Sequence, residues 1–159
     1  EGEAFYLAIY FDKSENVEVR GVGNEAGNKV YFRVTSDTLS FEELSSRTNL
    51  SPVDGWSKGQ PRKQNSESKY NFSALHFDPF PNEAYEMEYK MSLLLDELEK
   101  DKDGVKNLAE NFGAQISIAS YRYVSSFGGI HLDKKTIRRL SDLGLEVDFD
   151  IYVVGNYFK

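Results

Sequence analysis

With 159 residues the chain is sized for one domain with a core of its own, and the absence of cysteine excludes disulfides and thiolate metal sites. Its 26 Asp and Glu against 19 Lys and Arg leave a net charge of −7, which argues against sequence-independent nucleic-acid binding and suits either plain solubility or a basic partner. The best apolar run, Ala4 to Phe11, is strand-length and alternating, so no membrane partner is expected.

In chain order, Phe5, Leu7, Ile9 and Phe11 alternate with Tyr6, Ala8, Tyr10 and Asp12, predicting a strand over 4–12 that residues 17–20 can pair with. The glycine-rich stretch 21–28 reads as a hairpin turn, and its G-x-G-x-x-x-G spacing leads into a strand at 29–35, with no helix N-terminus to receive a phosphate. Ser40 and Glu43 form a capping box with Leu39 and Leu44 as its hydrophobic staple, which predicts a short helix. Residues 51–69 read as a long polar loop, 70–77 as a strand, and Asn82 as the cap of the longest helix, striped by Met87, Met91, Leu94 and Leu98. A second helical piece over 103–112 ends at Gly113, and a strand follows over 115–124 with Ile116 and Ile118 inward.

The last thirty residues carry the sharpest pattern. Asp133 has the spacing of an N-cap between the staple residues Leu132 and Ile137, and Gly144-Leu145 has that of a Schellman end folding onto Leu140. The strand 146–154 then turns Val147, Phe149, Ile151 and Val153 to one face and Glu146, Asp148, Asp150 and Tyr152 to the other. The strand-then-stapled-helix pattern at 29–44 is echoed at 115–137. Together these elements predict a single α+β domain over 1–159, a mostly antiparallel sheet with helices packed on one face and two ferredoxin-like βαβ halves. Residues 1–28 form a hairpin extension to a core at 29–155.

Candidate sites are few. Gly55-Trp56-Ser57-Lys58-Gly59 matches a nucleophile elbow, but Ser51-Pro52-Val53-Asp54 before it and Gln60-Pro61-Arg62 after it supply neither the central strand nor the helix the elbow needs. The only histidines, His76 and His131, have no metal-ligand spacing, and His76 on a strand face reads as a satisfied histidine. Glu146, Asp148 and Asp150 are the strongest polar constellation. They read either as a solvated sheet face answered by Arg33 or Arg122, as a landing surface for a basic partner, or as a catalytic carboxylate pair, which would need one of them desolvated. Trp56, the only tryptophan, lies among Lys58, Arg62, Lys63 and Lys69, and serves either as a lid on the core or as an exposed binding anchor.

Asn49-Leu50-Ser51-Pro52, followed by Lys58-Gly59, and above all Leu140-Ser-Asp-Leu-Gly-Leu-Glu-Val-Asp-Phe-Asp-Ile-Tyr152 resemble the bacterial domain-of-unknown-function family 4279, from about Lys29 onward. The resemblance implies a small bacterial α+β protein, some members of which stand beside polymorphic or contact-dependent toxins as immunity proteins. On that reading the chain is a cytoplasmic protein-binding module, without catalytic residues, cofactor or metal, that neutralises a cognate basic toxin. Glu146, Asp148, Asp150 and Tyr152 would contact it, with Trp56 and Lys58 as second choices. A metal- or carboxylate-dependent hydrolase and a small-ligand sensor are the alternatives.

Overall fold

The computed structural model describes residues 5–13, 16–81, 86–124 and 129–155. Its strands are β1 (Phe5–Asp12), β2 (Glu18–Ser36), β3 (Asp54–Trp56), β4 (Pro61–Arg62), β5 (Asn65–Lys69), β6 (Ser73–Phe77), β7 (Gly113–Tyr123) and β8 (Glu146–Val154). Its helices are α1 (Phe41–Ser45), α2 (Met87–Leu98), α3 (Lys102–Asn111) and α4 (Lys134–Leu143), with one 3-10 turn, Glu99–Asp101, joining α2 to α3.

The main sheet has the order β3-β6-β2-β7-β8, antiparallel at every step except the parallel pair β7–β8, and β1 pairs antiparallel with the first half of β2. Two βαβ halves, β2–α1–β3 and β6–α2–α3–β7, interleave so that each has a strand of the other between its own parallel strands. That is a ferredoxin-like unit. The echo at 115–137 is therefore not its second half: α4 carries the chain on to β8, which extends the sheet past β7.

Local chemistry accounts for the element ends. Ser40 Oγ accepts from Glu43 N–H while the Glu43 carboxylate accepts from Ser40 N–H at 2.7 Å, the reciprocal capping box. Asp133 Oδ1 accepts from Thr136 N–H, and α4 closes at Gly144 (φ 69°) with Leu145 N–H donating back to the Leu140 carbonyl. The described α2 begins at Met87 with Glu86 at its cap position, and the Asn82 cap lies outside the described residues.

The core lies between the sheet and the helices. Val30, Phe32, Val34, Leu75, Ile116 and Ile118 supply the sheet side, against Leu44, Met91, Leu94, Leu98, Leu108 and Leu143 from the four helices. Arg139 locks α4 to the end of α2 by donating to Glu99 Oε1 and Asp96 Oδ1, each at 2.7 Å.

Two expectations change. The glycines of 21–28 are not a turn but the middle of the 19-residue β2. Tyr10 of β1 lies over Gly23, where an added Cβ would come within 3.2 Å of its ring, and its hydroxyl donates to Glu25 at 2.7 Å. The glycines thus make room for an aromatic side chain across the pair, a contact that local sequence does not display. The loop 51–69 is also largely strand: β3 forms the edge beside β6, and β4–β5 make a small separate ribbon.

Candidate functional site

Side-chain alternation along β2, β7 and β8 sorts the residues between core and opposite face. The helices pack on the side of Phe32 and Ile116, so among the described residues the other side carries no helix and stands uncovered. Register assembles that face in rows. Asp54, His76, Arg33, Gln115 and Glu146 cross five strands; beside them run Tyr31, Ser117 and Asp148, then Lys29, Ala119 and Asp150, then Gly27, Tyr121 and Tyr152. Trp56 and the acidic stripe therefore share one face but occupy opposite edges of it, Trp56 at β3, with Lys58 two residues past its end, and the stripe at β8, four strand spacings or roughly 19 Å apart.

At the β8 edge Glu146, Asp148, Asp150 and Tyr152 are all exposed. Among the described residues no Lys or Arg forms an ion pair with the three carboxylates, contrary to the answering arginines expected from sequence. Arg33 instead lies over the Phe72 ring at 5.6 Å, and Arg122, one residue past Tyr121, belongs to the opposite face. Among the described residues, only Gln115 Nε2 reaches the stripe, donating to Asp148 Oδ2 at 3.2 Å. Tyr152 stacks on Tyr121 with ring centroids 4.9 Å apart and 15° between planes, and the Asp150 carboxylate, ahead of partial desolvation, raises the Tyr152 phenol above its ordinary pKa.

The β3 edge is built differently. Trp56 stacks on Tyr70 at 4.4 Å, meets His76 edge-on at 5.1 Å and donates Nε1–H to the Phe72 carbonyl at 3.0 Å. It is neither a lid on the core nor an exposed anchor, but the centre of a half-buried aromatic cluster on the uncovered face. Lys58 Nζ donates to the Asp37 carbonyl and Lys63 pairs with Asp54. Among the described residues His76 Nε2, a buried atom, has no hydrogen-bond partner, so His76 is not the satisfied histidine its strand position suggested; burial, then the Arg33 charge, lowers its pKa below the usual histidine value.

Ser57 of the elbow-like motif accepts from Phe41 N–H at 2.9 Å and so serves the start of α1, while Gly55 lies where an added Cβ would strike the Phe41 ring. His131 donates its backbone N–H to Glu88. Among the described residues no three His, Asp or Glu side chains converge to hold a metal ion. An open cleft of about 700 Å³ lies at one end of the uncovered face, lined in part by Arg33, Thr35, Phe72, Phe112 and Gln115.

Tyr31 and Tyr121 belong to the face and were not singled out in the sequence, although the parity of Ile116 and Ile118 places Tyr121 outward, and Arg33 entered only as an answering cation. What the β8 edge can do chemically is attract cations and offer flat aromatic contact; what the β3 edge does is hold itself together.

Neither a curated protein nor a solved structure matches the chain. A family model described as a domain of unknown function, DUF4279, matches residues 25–154, and the chain belongs to that family.

Proposed function

We propose that the chain is a protein-binding module that docks a basic protein on the β8 side of its uncovered face, in the specific form of a bacterial cytoplasmic immunity protein neutralising a cognate toxin. The observation that carries this reading is the stripe Glu146, Asp148 and Asp150, exposed, without an ion-paired cation among the described residues and bordered by the stacked Tyr121–Tyr152 pair. Three carboxylates on alternate positions lie roughly 7 Å apart and repel one another, so a partner bringing Lys or Arg relieves that repulsion while forming new pairs. The adjacent tyrosines supply the amphipathic contact area that favours interfaces. The net charge of −7 adds long-range attraction for a basic surface. Neutralisation by occlusion calls for no catalytic group, and no helix among the described residues is long and apolar enough to cross a membrane.

The test is the affinity for the toxin encoded beside the gene, measured by calorimetry at moderate salt for the native chain and for Asp148→Lys/Asp150→Lys. Losing two close charge pairs and gaining repulsion predicts at least about a hundredfold weakening. Unchanged affinity overturns the placement, and absence of binding by the native chain overturns the reading. A second reading, small-ligand sensing, draws on the cleft beside Arg33. It predicts a thermal shift with a small anionic ligand that Arg33→Gln abolishes.

A further inference from the structure

The apolar stripe that β2 buries in the body does not stop where the helices stop. Val30, Phe32 and Val34 lie under α2 and are at most 2% exposed. Val22 has the same parity farther back along β2, and register sets Ile9 opposite it, with Leu7 and the Phe11–Val19 pair on the same side of the β1–β2 ribbon. These five are 48–72% exposed. One face of the sheet is thus a packed core over the body and an open apolar surface along the arm.

Such a face is not stable on its own terms. A two-stranded ribbon is marginal in water without something packed on its apolar side, and contiguous apolar surface of this kind on a soluble domain marks an interface. Each of the five side chains carries on the order of 100 Å² of apolar surface. With roughly half to three-quarters of that exposed, the patch offers about 300 Å², the apolar centre that an interface of ~800 Å² per partner is built around. The patch itself bears no charge, and it lies on the side of the sheet opposite the acidic stripe. At the arm's tip Arg20 and Asp12, 3.9 Å apart, present both signs together, a self-complementary rim.

We propose that a second copy of this chain covers this face, the two arms packing apolar side to apolar side about a twofold axis. The dimer leaves both acidic stripes open, so it does not depend on the toxin-binding reading.

Sedimentation velocity over a concentration series, with hydrogen exchange on the native chain at the two ends of that series, tests the proposal. The expected result is a species of twice the monomer mass, with exchange in residues 5–12 and 18–26 slowing as concentration rises. Ile9→Glu/Val22→Glu, which would bury like charges across the twofold, weakens association at least about a hundredfold. A native chain that stays monomeric to about 100 µM overturns the proposal. So does a dimer whose protection maps outside the arm, or one that the double substitution leaves intact. Because the exchange measurement uses the native chain, the outcome stands even if that variant fails to fold.

Discussion

The two edges of the sheet draw on similar residue types and arrive at opposite conditions. At β3, Trp56 is stacked, edge-packed and hydrogen-bonded, Asp54 holds Lys63, and Lys58 is tied to a backbone carbonyl. At β8, among the described residues, only Asp148 of the three carboxylates accepts from a side-chain amide, and Tyr152 stacks on Tyr121. A tryptophan among lysines and a tyrosine among aspartates both look like binding residues in a sequence. The difference between them is how much of their bonding capacity the fold already uses. Groups already satisfied build structure, and groups left open are available to a partner.

The sharpest way to break that contrast is to remove the centre of the satisfied edge. Trp56→Ala loses half-buried aromatic packing and one partly buried hydrogen bond, and should cost about 2–3 kcal/mol in urea denaturation. Its affinity for a partner docked at β8 should change less than threefold. A cost under about 0.5 kcal/mol would show that the aromatic cluster is not structural. Gly55→Ala comes next, at about 2 kcal/mol, because its Cβ would meet the Phe41 ring and the Ala74 carbonyl at once and the backbone there cannot yield cheaply.

A smaller effect follows from His76. Its pKa is lowered in the folded chain, so on acidification the unfolded chain binds the proton first. Stability should therefore fall as pH drops below about 6.5 and level off once the folded pKa is passed, a slope absent in His76→Gln. The Asp54 carboxyl, which burial would raise but which the Lys63 and Gly55 hydrogen bonds hold below its ordinary value, adds its own loss only at more acidic pH. A flat stability profile between pH 7 and 5 would contradict the buried state of His76. The smallest effect lies at the other edge: Tyr152→Ala should cost only about 0.5 kcal/mol of stability by thermal unfolding, since an exposed cross-strand pair is all it loses. A loss comparable to that of Trp56→Ala would erase the distinction between the edges.

What sequence made legible was local. The cap of α4, its Schellman end and the alternation of β8 depend on residues within five positions of one another, and each is present in the fold. The non-local facts stayed hidden. Gly21 and Gly23 look like turn residues until Tyr10, more than ten positions earlier, is laid over them, and no periodicity shows that β6 comes between β2 and β3. The same limit applied to the candidate site. Parity turned Glu146, Asp148 and Asp150 to one face, and the parity of Ile116 and Ile118 sets Arg122 on the other, but only register shows that Arg33 stands two strands away. Trp56 was legible as important, yet its partners Tyr70, Phe72 and His76 converge only through pairing of β3 with β6. At the start of β2 the paired arm lies mostly before residue 25, where the family match begins.

The most direct test of the difference between the edges is carboxyl-directed covalent labelling of the protein alone and bound to its basic partner, read residue by residue by mass spectrometry. The account predicts that Glu146, Asp148 and Asp150 label readily in the free protein and become protected in the complex, while Glu42 and Asp54 near β3 do not change. Protection at the β3 edge with the β8 stripe still reactive would contradict it.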